Sequence, residues 1–124
     1  MIRFDNNNKI KAKEIMNVFD SVGINKDEKS IVQAFGDSYY ITAYDGKKLI
    51  GFVRALTDYY YYAVIYDFVV HKDYQNRGIG SFMMKEIVNN FEGLEIAVVK
   101  AEGIENFLKE HEFNYDGKAM FLKK

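Results

Sequence analysis

At 124 residues, with a formal net charge of −1 and a pI near 6.1, the chain has room for one domain (1–124) with a real core, and no basic excess that would draw nucleic acid. Its composition is 48% hydrophobic and 16% aromatic with no proline and no cysteine, which excludes a disordered linker, a disulfide framework and a cysteine nucleophile; with only His71 and His111 no metal centre is expected. No apolar run approaches the ~18 residues of a membrane span, and Met1-Ile2-Arg3-Phe4-Asp5 lacks a signal-peptide layout, so a cytoplasmic protein without a membrane partner is expected.

Ile2-Arg3-Phe4 reads as a short first strand, and Asp5 to Asn8 supply turn and cap chemistry. From Lys9 to Val22 an apolar stripe of Ala12, Ile15, Met16, Phe19 and Val22 predicts a helix that Gly23 ends. Asn25 with Glu28 resembles a capping pair, and a second helix follows with Ile31, Val32 and Phe35 inward and Gly36 as its stop. Ser38 to Tyr44 is strand-like, Asp45-Gly46 is a hairpin turn, and Lys48 to Leu56 is the returning strand. Thr57-Asp58 turns the chain again. Tyr59 to Tyr62 then lead into Ala63 to Val70, where alternation is expected to send the tyrosines to both faces of the sheet, either as β-forming packing on an amphipathic edge or with one or two of them lining an acceptor pocket. Ala63 to Val70 is nearly continuous in apolar and β-branched residues and reads as a strand buried on both faces, interrupted by Asp67.

Behind that strand, Ser81 to Phe91 carries Phe82, Met83, Ile87 and Phe91 at helical spacing. Leu94 to Val99 reads as another strand, parallel to the central one because a helix connects the two. Ala101-Glu102-Gly103 opens a fourth helix with Ile104, Phe107 and Leu108, and Phe113 with Ala119 to Leu122 is expected to close the sheet.

The strand-to-helix junction, ending in Gly78 and Gly80, is built for an anion. Glycines admit a close backbone approach, and the first helical turn presents unpartnered N–H groups and partial positive charge. A dinucleotide fingerprint fails because Met83 stands where its third glycine belongs, and no Gly-x-x-x-x-Gly-Lys-Ser/Thr loop occurs. What remains is Gln75-x-x-Gly78-x-Gly80, preceded by Val69-Val70-His71-Lys72-Asp73-Tyr74.

That motif, with a buried strand before it and an amphipathic helix after it, resembles the acetyl-coenzyme A signature of the GNAT superfamily of N-acetyltransferases. The resemblance runs from Lys9 to Leu122. The stretch Gly51 to Arg54, Thr57-Asp58 and Tyr66 to Val70 looks like small stand-alone bacterial and plastid members. The implied fold class is α/β, a mixed, mostly antiparallel sheet flanked by helices, with strands 63–70 and 94–99 parallel and splayed. The implied activity is direct transfer of acetyl from acetyl-coenzyme A to an amine, without a covalent enzyme intermediate. By matching position, Phe68, Val69 and Val70 offer main-chain groups to the pantetheine arm, Arg77, Gly78, Ile79, Gly80 and Ser81 wrap the pyrophosphate, and Gln75 orients the loop. Asn76 either binds or tolerates the loop geometry.

A proton acceptor is also required. Asp67 is the candidate: a carboxylate on a buried strand can take the proton and attract a cationic substrate, and some family members carry an acid there. The competing reading is a structural aspartate bonded to loop amides or paired with Arg54. His71 and His111 read as surface residues. The fourth-helix motif departs from the family's Phe-Tyr-x-Lys-x-Gly-Phe, with Leu108 in the tyrosine's place, so Tyr115, the nearest tyrosine, is the expected stand-in as catalytic acid. The acceptor is expected to be a small cationic or aromatic amine or a peptide amine, and the oligomeric state is left open, with exposed aromatic strands as a candidate homodimer surface. The alternative function is an acetyl-coenzyme A-binding sensor that has lost the chemistry.

Overall fold

The computed structural model describes residues 1–6, 9–99 and 103–122. In chain order these form β1 (Ile2–Asp5), α1 (Ala12–Ser21), α2 (Glu28–Gly36), β2 (Tyr39–Asp45), β3 (Lys48–Thr57), β4 (Tyr62–Val70), a 3-10 turn (Lys72–Tyr74), α3 (Ile79–Asn90), β5 (Glu95–Val98) and α4 (Glu105–Glu110). The sheet order follows the sequence from β1 to β5. Every pairing is antiparallel except β4 with β5, which is parallel. The mixed sheet expected from the strand–helix–strand pattern is therefore present. Asn7 and Asn8 of the first turn and Ala101-Glu102 at the start of the fourth helix lie outside the described residues.

Each face of the sheet is covered. On one side α1 and α2 bury Ile15, Val18, Phe19, Ile31 and Phe35 against Tyr44, Leu49, Phe52 and Val69. Phe52 fixes this layer by inserting between the Phe19 and Phe35 rings, at centroid distances of 5.0 and 5.1 Å. On the other side α3 and α4 bury Met83, Met84, Ile87 and Leu108 against Ile41, Val53, Ala55, Ala63 and Ile65. No helix among the described residues is long and apolar enough to cross a membrane.

Local chemistry moves several boundaries. α1 starts at Ala12 rather than Lys9. The second helix is capped by Asp27, not Asn25, because the Asp27 carboxylate accepts both the N–H (3.0 Å) and the hydroxyl (2.6 Å) of Ser30. α3 begins two residues early, at Ile79, with Gly78 as its left-handed cap. Only Tyr62 of the tyrosine run joins β4. Tyr59 to Tyr61 form an exposed loop, since Asp58 accepts the N–H groups of Tyr60, Tyr61 and Tyr62 at 2.9, 2.8 and 3.0 Å and curls the chain around its carboxylate. Alternation cannot act on residues that are not in a strand.

β4 is less enclosed than its composition suggests: Ala63, Ile65, Asp67 and Val69 are buried while the residues between them are half-buried. The C-terminal stretch departs furthest. Phe113 to Leu122 forms no strand; Gly117 has φ +69, Lys118 N–H bonds the Asp116 side chain at 3.1 Å, and Met120 and Leu122 stand exposed. The stretch lies beside β5 across a groove rather than pairing with it.

The bonds from Ser30 to Asp27, and from Tyr61, Tyr62 and Tyr60 to Asp58, hold both carboxyls below their usual range. A depressed carboxylate stabilises the fold above its unfolded pKa of about 3.9 and loses that contribution as pH falls through its lower native value. Asp27→Ala and Asp58→Ala should therefore melt below the parent at pH 7, with the gap closing in thermal melts taken down to about pH 2. A gap that persists undiminished in acid would show that the carboxylate charge is not what holds these turns.

Candidate active site at the opening between β4 and β5

The site begins with one extra residue. β3 and β4 pair in register from Gly51–Val70 to Arg54–Asp67, then Ala55 pairs with Ile65, so Tyr66 is left over as a bulge. Below it, Ile65 turns its main chain to β5, accepting the Val99 N–H at 3.0 Å, and its side chain to the α3 layer. Above it both alternations are reversed. His71 N–H bonds Ile50 O of β3 at 2.7 Å, so Asp67 and Val69 face β3 with their main chains, and Val69 packs on the α1–α2 layer. Phe68 and Val70 aim their main-chain groups the other way, beyond the end of the ladder with β5, whose last partner among the described residues is Val98, opposite Ile65.

Of the three residues expected to offer main-chain bonds, Phe68 and Val70 thus face the opening and Val69 does not. Val70 O already accepts the Gln75 side-chain amide at 2.9 Å, which ties the loop after β4 to the strand it leaves. The loop is anchored at its other side by Tyr74, whose hydroxyl donates to Asp45 at 2.8 Å. That bond, first among several causes, lowers the Asp45 carboxyl and raises the Tyr74 phenol. Arg77, exposed, lies over the Tyr74 ring at 5.0 Å from its centroid.

The loop then enters α3 through two left-handed residues, Asn76 (φ +63) and Gly78 (φ +81). α3 has no side-chain cap, and its first internal bond runs from Phe82 N–H to Gly78 O at 3.0 Å. The N–H groups of Ile79, Gly80 and Ser81 therefore have no partner within the helix, and Arg77 stands beside them. Such an arrangement can receive an anion, with the exposed Arg77 guanidinium at its rim. The two glycines do different work. A side chain on Gly78 would meet nothing within 4 Å, so only its backbone conformation calls for glycine, whereas a Cβ on Gly80 would lie 3.3 Å from the Phe68 ring and 3.7 Å from Phe107. Gly80 lets α3 approach β4.

Asp67, reversed by the bulge onto the α1–α2 side, is 7% exposed. Its Oδ2 accepts from Arg54 Nε at 2.7 Å, and its Oδ1 faces Lys26 Nζ at 4.0 Å. Arg54 is itself steadied by Ser38 Oγ at 3.0 Å and lies between the Phe35 and Tyr66 rings. The pairing with Arg54 raised in the sequence reading is present, and one oxygen of Asp67 is left for another group.

His71 is buried rather than at the surface, and His111 is half-buried. His71 is 7% exposed, and its Nδ1 accepts the Asp73 N–H at 3.1 Å, starting the 3-10 turn. His111 leans from the end of α4 onto Ser81, 3.2 Å from Oγ, with its ring on Phe107. Its helical spacing from Phe107 placed it on that inward face. Nothing in the sequence marked Lys26 or the Tyr66 bulge. Leu108 is buried in the α3 layer, while Tyr115 is 72% exposed on the wall of a groove of about 470 Å3 between β5, α4 and the C-terminal stretch.

Residues 12–115 match the acetyltransferase (GNAT) family. The chain belongs to that family. It is 30% identical over 104 residues to the uncharacterized N-acetyltransferase ycf52 of Pyropia yezoensis, which covers 79% of this chain and 60% of the relative. The chain thus spans about three-fifths of that relative's length. Among solved structures, a GNAT-family acetyltransferase from Streptococcus pneumoniae superposes with a TM-score of 0.85 at 26% identity, over 100% of this chain and 98% of that one. The PaiA N-acetyltransferase from Thermoplasma acidophilum, solved in complex with coenzyme A, shares the fold with a TM-score of 0.67 at 12% identity over 94% of both chains.

If conformation is all that Gly78 supplies, Gly78→Ala should cost about 1–2 kcal/mol in urea unfolding, and Gly78→Asn less, because asparagine tolerates the left-handed region. Equal losses for the two variants would show that the position demands more than its φ.

Proposed function

We propose that the protein transfers an acetyl group from acetyl-coenzyme A to a primary amine by direct attack. The observation that carries this reading is that, among the described residues, the main chain of Phe68 and Val70 has no β5 ladder partner, Val70 O being held by Gln75 alone, and runs into the uncapped N-terminus of α3. An extended amide-bearing chain can add to the first as a strand would, and a pyrophosphate can sit on the second. The family match and the coenzyme A held by the Thermoplasma structure support the same ligand.

In this reading Phe68 and Val70 hold the pantetheine arm, with Val69 packing behind them. The N–H groups of Gly78, Ile79, Gly80 and Ser81 hold the pyrophosphate, Arg77 adds a full charge, and Gln75 and Asn76 set the loop. Acetyl-coenzyme A supplies a thioester whose C–S bond breaks as the amine's N–C bond forms. An alkylamine with a pKa near ~10.4 arrives as its ammonium, so its proton must go to a group in the site. Asp67 takes it on Oδ1, held in orientation through Oδ2 by Arg54. Tyr115 is the phenol on the groove wall and the donor we assign to the departing thiolate, since Leu108 cannot donate.

A second reading, binding without turnover, is favoured by Leu108, which fills core volume at the position where the family keeps its acid. Calorimetry with acetyl-coenzyme A, combined with thiol release over a panel of amines, separates the two. Arg77→Ala should weaken binding by about 1.5–3 kcal/mol, more at low salt. Asp67→Asn should leave binding near the parent value and slow turnover by roughly 10²–10⁴. Binding by the parent with no thiol release on any amine would favour the second reading; no binding at all would overturn both.

A further inference from the structure

The α1–α2 side of β4 places an amine of the chain itself against Asp67, the proton acceptor of the proposed reaction. Lys26 lies between α1 and α2, in a segment without helix, and its Nζ sits 4.0 Å from Asp67 Oδ1 and 5.4 Å from the Phe19 ring centroid. Its side chain is only 26% exposed, so it reaches inward along the α1–α2 layer rather than into solvent. Arg54 already pairs with Oδ2 at 2.7 Å. One carboxylate thus faces two cationic side chains, one on each oxygen. The arrangement is what an incoming alkylammonium would need: a carboxylate oxygen to take the proton, an aromatic face beneath the cation, and a neighbouring guanidinium that keeps the carboxylate from rotating away. Asp67 is also next in sequence to Phe68, whose main chain borders the opening.

We propose that Lys26 occupies the seat of the acceptor's ammonium group and is itself acetylated by the protein when no other amine displaces it. The proposal rests on the reading of the opening as an acetyl-coenzyme A site. Nζ of Lys26 attacks the thioester carbonyl carbon, the N–C bond forms, the C–S bond breaks, and coenzyme A leaves as the thiolate. Before the attack the ammonium gives one proton to Asp67 Oδ1 and from there to solvent; the nitrogen loses its second proton by the same route as the amide forms, and the thiolate takes up one proton to give the thiol. The product, an N-acetyl-lysine, has no charge and cannot pair with Asp67. The acceptor class that follows is an unbranched alkylamine, a lysine side chain or a compound with a similar aminoalkyl arm, because that is the shape Lys26 places in the seat.

The test incubates the purified protein with isotope-labelled acetyl-coenzyme A and follows each lysine by peptide mass spectrometry, with calorimetry on the same preparation to measure cofactor binding. Label should enter Lys26 faster than the exposed Lys29 and Lys47 by about 10²-fold or more, and excess n-butylamine should slow it. Asp67→Asn, if it still binds acetyl-coenzyme A, should bring Lys26 down to the rate of Lys29. Lys26→Met should accelerate acetylation of n-butylamine, since the seat is then empty. Cofactor binding with Lys26 labelled no faster than Lys29, or with Lys26 labelled equally in the Asp67→Asn variant, would overturn the inference and leave the acetyltransferase reading standing. Absence of cofactor binding would overturn both.

Discussion

The whole site depends on one surplus residue in one strand. Without Tyr66 as a bulge, Asp67 would continue the alternation of Ala63 and Ile65, pointing its carboxylate into the apolar α3 layer and its main chain at β5. An unpaired carboxylate there would be costly to bury. With the bulge, Asp67 turns to the side where Arg54 and Lys26 can meet it, and Phe68 and Val70 present their main chains to the gap. The same reversal seats Val69 among Phe52 and its neighbours on the α1–α2 side and sends Phe68 against Phe107 and Gly80. Packing on both faces then holds the bulge in place.

The approach of α3 to β4 is the second constraint. Gly80 allows it, and Phe107 and His111 of α4 close over the result: Phe107 lies 5.3 Å from Phe68 by ring centroid, and His111 sits on Ser81. α4 and the residue that follows it are therefore fastened to the first turn of α3. Leu108, on the same helix, contributes volume to the α3 layer.

Much of this was legible in the sequence because it follows from local rules. The order of elements, the parallel pair and the Gln75-x-x-Gly78-x-Gly80 turn all come from periodicity and glycine chemistry within a few residues. The misreadings share a different cause. A bulge depends on register between strands distant in sequence, and Tyr66 carries no glycine or proline to announce it. Tyr59 to Tyr61 look like strand residues by composition, and one carboxylate at Asp58 overrides that. Asp27 outcompeted Asn25 as a cap through its bonds to Ser30. The stretch from Phe113 to Leu122 has strand composition but makes no ladder, and ladder partners are not written in composition. Lys26 was invisible for the simplest reason: a lysine in a loop looks solvated until the fold folds it inward.

The most direct test of the account is amide hydrogen exchange at Phe68 and Val70, with and without acetyl-coenzyme A. If the bulge leaves their N–H groups facing an open gap, both should exchange quickly in the free protein, while Val69, bonded towards β3, exchanges slowly. Added acetyl-coenzyme A should then slow Phe68 and Val70 and leave Val69 unchanged. Phe68 and Val70 already as protected as Val69 in the free protein, or unaffected by a cofactor that binds, would contradict it.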